Sequence, residues 1–347
     1  MRIAHVIAEM GSGGAEALVE DLARHRLSRG DAVTVASAGG RRADALAAEG
    51  VRLVPVALHR RSVAKAVLGA AGAARSLRGQ ADVVHAHNVG AALVAHLATR
   101  WPRRRPPLVV TVHGLPAADY PRAAGLLRRT ADLVVAVSET EREKLVAGGL
   151  PADRVTVVDN AVAPPAPYDR SVARRELGLD PDVPVALWVA RLAPPKRPDL
   201  LVEAWRSVPE PAVLLVAGGG PLVVAGDARV RVLRERSDVP RLLAAADVYC
   251  LASDSEGMPM AVLEAMSAGV PVVATGVGGL VAGCTGAARL VPPGDVEALA
   301  ATLTELLGSP ERRAELAAAG RERVAERFSV AAMRGAYDAV YASLSVR

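Results

Sequence analysis

Two glutamates eight residues apart, Glu256 and Glu264, stand in the segment SEGMPMAVLEAMSAGVP. The first lies in a turn rich in Gly and Pro. The second lies in a stretch rich in Ala, Met and Leu, a composition that favours a helix. Carboxylates in such places can accept hydrogen bonds from the hydroxyl groups of a ligand. A solvated loop acid and a solvated helix-surface acid are the alternative.

A pair of cations, Arg191 and Lys196, stands on either side of a Pro-Pro turn in VARLAPPKRPDLLVEAW. A helix is expected to begin near Pro198, since proline suits the first helical turn. Two cations beside a helix N-terminus suit a diphosphate, although two solvated loop cations are an alternative. Lys196 is informative because only three of the 42 basic residues are lysines, so the chain normally uses Arg as its cation.

Two glycine-rich segments follow predicted strands. EMGSGGAEAL, with Gly13 and Gly14, opens a predicted helix, where backbone amides can approach an anion. A plain tight turn is the alternative, and the spacing is not the dinucleotide fingerprint. AGGGP, with Gly219, ends a strand where a flat base or a ribose could lie close to the backbone.

Short apolar strands that alternate with Ala-rich helices must position these segments. Alternation of this kind predicts a parallel sheet, and nearly unbroken apolar runs indicate strands covered on both faces. In the first half, the predicted strands are Ile3–Ala8, Ala32–Ser37, Val51–Val56, Val83–Ala86, Leu108–Val112, Leu133–Val137 and Val155–Val158, and the predicted helices include Ala15–Ser28, Val63–Leu77 and Ala91–Thr99. In the second half, the predicted strands are Val185–Val189, Val213–Ala217, Val230–Leu233, Val248–Leu251, Val270–Ala274 and Arg289–Val291.

The segment 161–170, AVAPPAPYDR, has three prolines in ten residues and predicts an extended linker. A chain of 347 residues also exceeds what one hydrophobic core usually supports. We therefore expect an N-terminal domain over residues 1–163, a second domain over 164–325, and a C-terminal helix over 326–347 that packs back toward the first. Two doubly wound domains predict a deep cleft, with ligands bound beyond the carboxyl ends of the strands.

The acidic segment can now be placed on these elements. The strand Val248–Leu251 ends just before the turn Ser253–Gly257, and Pro259 suits the first helical position. Glu264 then lies in the second helical turn, and Glu256 lies just ahead of the helix. The helix amides can hold phosphate while the two acids accept hydrogen bonds from hydroxyls. A ligand that carries both kinds of group is a nucleotide sugar.

The acidic segment resembles the E-x7-E signature of a large family of retaining glycosyltransferases, family four. The likeness covers nearly the whole chain, because eight further segments fall in the family's order: GGAE (13–16), VVHAHN (83–88), TVHG (111–114), AVSE (136–139), ARL…K (190–196), AGGGP (217–221), LLAAADVYCLAS (242–253) and AGVPVVAT (268–275). The resemblance implies an α/β chain of the GT-B fold, with two Rossmann-like domains whose parallel sheets face each other across a deep cleft.

The resemblance also implies roles for single residues. It places Glu256 on the hydroxyls of the transferred sugar, Glu264 on the ribose, and Arg191 with Lys196 on the diphosphate. His113 matches the histidine that faces the reacting sugar from the other domain. His87 is a weaker candidate near the acceptor, with a buried core histidine as the alternative. The backbone amides implied near phosphate or sugar belong to Gly13, Gly14, Gly257, Met258, Met260 and Ala261.

The implied reaction is hexosyl-type transfer with retention of configuration. The leaving phosphate takes the proton of the acceptor, and Arg191 and Lys196 stabilise the charge that grows on the diphosphate. We expect no metal and no cofactor, since the nucleotide sugar is a substrate. The segment Asp180-Pro181-Asp182 has an Asp-x-Asp spacing but precedes a strand, so a turn is predicted there.

Three departures from the family pattern bear on the base and on part of the sugar pocket. The chain is short between Gly220 and Arg229, and Arg234 stands where the family often has Gly. Leu280-Val281-Ala282-Gly283 follows Gly278-Gly279, where an acid is common. None of these departures touches the paired acids or the two cations.

Charge and composition limit the partners and the compartment. Residues 1–165 carry 22 Lys and Arg against 15 Asp and Glu, with clusters at Arg60-Arg61, Arg103-Arg104-Arg105 and Arg128-Arg129. These clusters have no interleaved aromatics, so nucleic acid is not expected. A solvated surface or peripheral contact with an anionic membrane surface is expected instead. The sequence has two isolated cysteines, no signal peptide and no long apolar run. These features predict a cytoplasmic protein, either free or bound peripherally at the inner face of the membrane.

We therefore predict a glycosyltransferase that uses a UDP-sugar donor, with a GDP-sugar next. The acceptor is expected to bear a hydroxyl, as in a lipid-linked glycan, a cell-surface polysaccharide precursor or a secondary metabolite. A nucleotide-sugar epimerase of the same architecture is one alternative. A catalytically silent nucleotide-sugar-binding protein is the other.

Overall fold

The computed structural model describes residues 1–11, 13–56, 77, 79–99 and 105–345. Contacts divide the chain into two compact units, which are Met1–Asn160 with Ala331–Arg347 (unit 1) and Ala161–Val330 (unit 2). The basic pairs Arg60-Arg61 and Arg103-Arg104, and the predicted helix Val63–Leu77 up to its last residue, lie outside the described residues.

Unit 1 is built on a seven-stranded parallel sheet with the order β3-β2-β1-β4-β5-β6-β7. Its strands are largely buried, as their apolar sequences predict. They are β1 (Arg2–Val6), β2 (Ala32–Ser37), β3 (Arg52–Pro55), β4 (Val83–His87), β5 (Leu108–Val112), β6 (Leu133–Ala136) and β7 (Val155–Val157). The helices that follow them are α1 (Gly14–Ser28), α2 (Arg41–Ala48), α3 (Val89–Thr99), α4 (Tyr120–Thr130) and α5 (Glu139–Ala147), with 3-10 turns at Ala117–Asp119 and Ala152–Arg154.

Unit 2 repeats the plan with a six-stranded parallel sheet of order β10-β9-β8-β11-β12-β13. Its strands are β8 (Val185–Val189), β9 (Val213–Ala217), β10 (Val230–Arg234), β11 (Val248–Leu251), β12 (Val272–Thr275) and β13 (Arg289–Val291). Its helices are α6 (Arg170–Glu176), α7 (Pro198–Trp205), α8 (Val239–Ala245), α9 (Met260–Ser267), α10 (Gly279–Cys284), α11 (Val296–Gly308) and α12 (Pro310–Arg327). The last helix of the chain is α13 (Val330–Ser345).

Each sheet reverses its strand order at one point. In unit 1 the reversal lies between β1 and β4, and in unit 2 it lies between β8 and β11. At such a point the loops that leave two neighbouring strands run in opposite directions and open a crevice. The predicted fold class, two Rossmann-like domains with parallel sheets, is confirmed.

Several predicted boundaries shift by one or two residues. The clearest case is β12, which begins at Val272 because Pro271 has no N–H to donate to the sheet. Pro259 is the N-cap of α9 with an extended backbone (ψ 122°), so the prediction that it is the first helical residue was wrong. The segment Asp180-Pro181-Asp182 forms the predicted turn, in which the Asp182 amide donates to Asp180 Oδ1 at 2.9 Å.

Arg234, one of the departures from the family pattern, has a left-handed backbone with φ of 57°. It lies where the pairing of β10 with β9 shifts register, and its carbonyl accepts the amide of Gly218 at 2.7 Å. A side chain in this conformation costs about 1–2 kcal/mol relative to glycine. The left-handed backbone therefore explains why the family often has glycine at this position, and no ligand contact is needed to explain it.

Helix α13 packs on unit 1 through charged and aromatic side chains. Asp338 Oδ1 accepts from the guanidinium of Arg26 at 2.5 Å, and Arg26 is only 7% exposed. Asp31 also pairs with Arg26, at 2.6 Å. Nearer the start of α13, Arg334 pairs with Asp21 of α1 at 2.6 Å, where both side chains are partly exposed. Within the described residues, no helix combines the length and the hydrophobicity that crossing a bilayer requires.

We expect Asp338→Asn to lower the free energy of unfolding by about 1–3 kcal/mol, because a buried guanidinium loses a charged partner. The matched control is Asp21→Asn, which weakens a more exposed pair on the same helix and should cost less than about 1 kcal/mol. Urea unfolding of both variants measures the difference. Equal losses would mean that the Arg26 pair does not hold α13 in place.

Candidate functional site

An ion pair between Lys196 and Glu256 lies at the strand-order reversal of unit 2. Lys196 follows β8 and Glu256 follows β11, and Lys196 Nζ donates to Glu256 Oε1. The two side chains are only 18% and 8% exposed. The structure thus brings together one of the predicted diphosphate cations and the predicted sugar-binding acid, which are sixty residues apart in the sequence.

The backbone around this pair is held by hydrogen bonds between the two loops. Lys196 forms an antiparallel bridge with Ser253. The Arg197 amide donates to the carbonyl of Ala252 at 3.0 Å, and the Asp254 amide donates to the carbonyl of Pro195 at 3.0 Å. Both loops therefore have a fixed conformation before any ligand arrives.

The AGGGP segment after β9 packs against the loop after β8. The Leu192 amide donates to the carbonyl of Gly219 at 2.8 Å. A Cβ at Gly218 would overlap the carbonyl oxygen of Ala190, and one at Gly220 would overlap that of Leu192. Two of the three glycines are thus required by contact between loops. A ligand contact at Gly219 stays a prediction.

The loop after β12 supports Glu256 from the other side. A Cβ at Gly278 would overlap the carbonyl oxygen of Glu256, and Gly278 has φ of 54°. Thr275 Oγ1 accepts from the Ser253 amide at 3.0 Å and donates to its carbonyl at 2.8 Å. The Ser253 hydroxyl is buried and has no hydrogen-bond partner among the described residues.

Glu264 lies in the second turn of α9 and is half-buried. Both acids act on Tyr249, whose hydroxyl donates to the carbonyl of Val189 at 2.9 Å. Burial first, and then the thiol of Cys250 and the two carboxylates Glu256 and Glu264, raise the pKa of Tyr249 well above its usual value. Both carboxylates therefore lie close enough to Tyr249 for their charges to act on its hydroxyl.

The remaining predicted residues of unit 2 differ in which group, side chain or backbone amide, is available to a ligand. Arg191 is exposed, and its side chain has no hydrogen bond or ion pair with the described residues. The Met258 side chain is buried in the core, where a Cβ on Gly283 would overlap it. Its backbone, like that of Gly257, is the part that a ligand could contact. Met260 and Ala261 are the first two residues of α9, and their amides have no carbonyl partner within the helix.

In unit 1, the exposed Gly13 and Gly14 form the start of α1. The carboxylate of Glu16 lies against Gly13, and a Cβ at Gly13 would overlap it. A negative side chain at this point already complements the positive end of the helix. An incoming anion would have to displace or avoid that carboxylate.

The two predicted histidines of unit 1 are in direct contact. His87 ends β4 and His113 follows β5, and His87 Nδ1 lies 3.3 Å from His113 Nε2. His87 Nε2 in turn lies 3.2 Å from His5 Nδ1. Burial lowers the pKa of His113 to about 4, and burial followed by the charge of Arg26 lowers the pKa of His5 to about 4. Burial and the neighbouring imidazoles hold the pKa of His87 well below its usual value.

His85 lies beside this chain on the same face of the sheet. Its Nδ1 is 2.7 Å from the Tyr341 hydroxyl, and its Nε2 is 2.7 Å from the Thr111 hydroxyl. The Thr111 hydroxyl is also 3.1 Å from that of Tyr337. Burial, followed by the charges of His5 and His113, places the pKa of His85 well below its usual value. The imidazoles of this cluster are neutral at pH 7.

Comparisons with known proteins find one family match in each half of the chain. The profile "Glycosyltransferase Family 4" matches residues 12–164, and "Glycosyl transferases group 1" matches residues 183–309. The D-inositol 3-phosphate glycosyltransferase of Xylanimonas cellulosilytica is 34% identical over 307 residues, which are 77% of this chain and 73% of that protein. This chain belongs to glycosyltransferase family 4.

Two further comparisons bear on this member of family 4. The D-inositol 3-phosphate glycosyltransferase of Mycobacterium sp. (strain KMS) is 36% identical over 267 residues, which are 66% of this chain but only 60% of that protein. The crystal structure of Anabaena HepE in complex with UDP and glucose superimposes with a TM-score of 0.87 at 23% identity. It covers 99% of this chain and 100% of that chain. At this identity the likeness to HepE establishes the fold.

The sequence analysis missed several residues that shape the candidate site. Thr275 and Gly278 hold the loop of Glu256 but stand in apolar or Gly-rich segments that suggest only packing. His5 and His85 were also missed, although a signal existed. In a strand, alternate residues share a face, so the spacing of His85 and His87 indicates one histidine face. The pairing of His5 with His85 needs the sheet register.

We expect Gly278→Ala to destabilise unit 2 more than Gly286→Ala does. Both glycines have positive φ, but a Cβ at Gly286 points into open space. The overlap with the carbonyl of Glu256 should add about 1–3 kcal/mol to the loss at Gly278. The backbone of Gly278, with ψ of −134°, adds a further cost to an alanine there. Thermal unfolding of the two variants tests this. A Gly286 variant that is equally unstable would contradict a role for close packing against Glu256.

A pH dependence follows from the buried His5, His85 and His87 and the half-buried His113. Their folded pKa values lie below the unfolded value of about 6.5, so between pH 6.5 and 4 the unfolded chain binds more protons. The free energy of unfolding is therefore not lowered by these histidines above pH 6.5. Below that pH it falls by up to about 1.4 kcal/mol per pH unit for each histidine.

Hydrogen exchange between pH 7 and 5.5 measures this effect, with rates corrected for intrinsic pH dependence. Residues 161–330 contain no histidine, so unit 2 serves as the internal control. The strands of unit 1 should lose protection relative to those of unit 2. Parallel behaviour of the two units would show that the imidazoles are already protonated or that they are not buried.

Proposed function

We propose that this protein transfers a sugar from a nucleotide-sugar donor, UDP-linked first and GDP-linked next, to a hydroxyl-bearing acceptor. The observation that carries the proposal is the Lys196–Glu256 pair at the strand-order reversal of unit 2. A nucleotide sugar offers a diphosphate to the cation and sugar hydroxyls to the acid. HepE, which shares the fold, was crystallised with UDP and glucose, and that supports a UDP-linked donor.

The roles of single residues follow from chemistry at this place. Lys196 has three N–H donors and gives one to Glu256, so others are available to a diphosphate. Arg191, five residues earlier in the loop after β8, is exposed and adds a second cation. Glu264, on α9, accepts hydrogen bonds from the ribose, and the amides of Met260 and Ala261 contact phosphate. The base lies near the AGGGP segment, and the amides of Gly13 and Gly14 approach the sugar or phosphate.

We propose that transfer retains the anomeric configuration and needs no metal. Glu256 is neutralised by Lys196, which makes its carboxylate a hydrogen-bond acceptor rather than a strong nucleophile. The oxygen of the leaving diphosphate then accepts the acceptor's proton on the same face. Lys196 and Arg191 stabilise the negative charge as the glycosidic bond breaks. His113 contacts the transferred sugar.

For the acceptor, we propose a sugar or an inositol phosphate. The names of the two relatives, both D-inositol 3-phosphate glycosyltransferases, support that class. We also propose peripheral contact with an anionic membrane surface from the cytoplasm. In support, Arg122, Arg128 and Arg129 are exposed on α4, while Arg105 is already paired with Asp132.

An epimerase and a silent binding protein were the alternatives from the sequence. The relatives named above are glycosyltransferases, which disfavours an epimerase. A silent protein would bind nucleotide but would not consume the sugar donor. Turnover with a panel of UDP- and GDP-sugars and inositol phosphate, with and without magnesium, separates these cases. Proton NMR of the product then gives its anomeric configuration.

The site assignment predicts a graded response to substitution. Lys196→Ala and Arg191→Ala should each weaken UDP binding by roughly 1.5–3 kcal/mol, because a charge-assisted hydrogen bond is lost. Glu256→Gln should preserve or strengthen UDP binding, since it frees Lys196, and should reduce sugar transfer. Isothermal titration calorimetry and turnover measure the two effects.

The matched control is Lys144→Ala, which breaks another Lys–Glu pair, 2.9 Å from Glu141 in unit 1. It should leave UDP binding unchanged. If Lys196→Ala bound UDP as tightly as Lys144→Ala, the diphosphate assignment would be wrong. If Glu256→Gln transferred sugar at the normal rate, the sugar role of Glu256 would be wrong.

A further inference from the structure

Three histidines of unit 1 form a single chain of hydrogen bonds. His5 Nδ1 lies 3.2 Å from His87 Nε2, and His87 Nδ1 lies 3.3 Å from His113 Nε2. One end of the chain is His5 Nε2, which is buried and has no partner among the described residues. The other end is Nδ1 of His113, a half-buried residue. The chain therefore joins the inside of unit 1 to a proposed sugar-contacting residue.

A neutral imidazole carries one N–H, so only two proton arrangements keep both hydrogen bonds of the chain. In the first, His113 donates to His87 and His87 donates to His5, which leaves the only proton of His5 on Nε2. In the second, His5 donates to His87 and His87 donates to His113. His5 Nε2 is then a bare lone pair, and His113 carries its proton on Nδ1.

The surroundings of His5 favour the second arrangement. Arg26 is near enough for its charge to lower the pKa of His5. A positive charge repels an N–H dipole and attracts a lone pair. The Nε–H of Arg26 is itself a buried donor without a partner in the described residues. These two atoms do not bond to each other, since neither has a partner among the described residues. In the first arrangement the terminal N–H of the histidine chain is therefore buried on His5 Nε2 without an acceptor, which is rare in folded proteins. In the second arrangement the terminal N–H lies on Nδ1 of the half-buried His113 instead.

We propose that His5 and His87 are positioning residues that fix His113 as the Nδ1–H tautomer. His113 then presents a hydrogen-bond donor to an oxygen of the sugar or the acceptor. Its Nε2 already accepts from His87, so it cannot take a proton as a general base. The sugar contact of His113 rests on the proposed function, but its tautomer does not.

The low pKa values of His5, His87 and His113 agree with a neutral chain at pH 7. His85 does not compete for the chain, because its two ring nitrogens pair with Tyr341 and Thr111. Ring nitrogens of His5, His85 and His87 lie within 4.8 Å of one another, a spacing that could also suit a metal ion. The hydrogen bonds account for that spacing. The experiment below distinguishes a hydrogen-bonded histidine chain from a metal site.

The test is long-range proton–nitrogen correlation NMR on the full chain labelled with 15N-histidine, at pH 7 with chelator. Protonated and bare ring nitrogens give separate resonances, so each tautomer is read directly. We expect His113 to be protonated on Nδ1 and bare on Nε2, with His87 and His5 also protonated on Nδ1. Protonation of His113 on Nε2 would overturn the proposal, as would resonances of His5 and His87 that move on stoichiometric zinc.

Variants of His5 give an independent readout. His5→Asn keeps an N–H donor near the Nδ1 position, and His5→Leu removes it. In His5→Leu we expect a mixture of His113 tautomers and a fall in kcat of about tenfold, the equivalent of one hydrogen bond, with UDP affinity unchanged. His5→Asn should restore the tautomer and most of the lost kcat. A kcat that falls equally in both variants would overturn the positioning role.

The two proposals fail in different ways. If the protein transfers no sugar, the NMR assignment of His113 still stands or falls by itself. If it transfers sugar while His113 is protonated on Nε2, only the positioning role is lost. Should His5→Leu fail to fold, the spectrum of the unaltered chain remains decisive.

Discussion

The pairing of Lys196 with Glu256 is the interaction around which the loops of unit 2 are arranged. A cation with 18% exposure and a carboxylate with 8% exposure have lost most of their water, and each needs the other to be tolerated there. Their loops meet because β8 and β11 are neighbours in space although not in sequence. Hydrogen bonds across these loops and glycines beneath them hold the two charges in register. A ligand that binds at such a place meets groups that are already oriented.

Unit 1 uses the same reversal of strand order for a different chemistry. At the end of its sheet the polar groups are imidazoles and hydroxyls, and burial keeps the imidazoles neutral. Charges are tolerated in unit 2 because they are paired, and histidines are tolerated in unit 1 because they give up their charge. A neutral chain of imidazoles also has a direction, which a pair of opposite charges does not.

The departures from the family pattern fall outside the hydrogen bonds that hold the Lys196–Glu256 pair. Arg234 replaces a frequent glycine at a left-handed position, and its carbonyl still accepts from Gly218. The short segment between Gly220 and Arg229 leaves the contacts of Leu192 with Gly219 in place. Strain at Arg234 and the short segment before the edge strand β10 are therefore tolerated, because other hydrogen bonds fix the loop next to the Lys196–Glu256 pair.

Sequence alone determined the two parallel sheets, since unbroken apolar runs alternate with helical stretches and every predicted strand appears within a few residues. It also singled out Lys196, Glu256 and Glu264 as candidates, because cations and acids at the ends of predicted strands suit a ligand that carries phosphates and hydroxyls. Only the tertiary structure decided that Lys196 and Glu256 touch, that Met258 faces the core, and that Pro259 caps the helix instead of starting it. It alone joined His5 to His87 and His113. Such contacts depend on strand order and register, which bring together residues that a local pattern cannot relate.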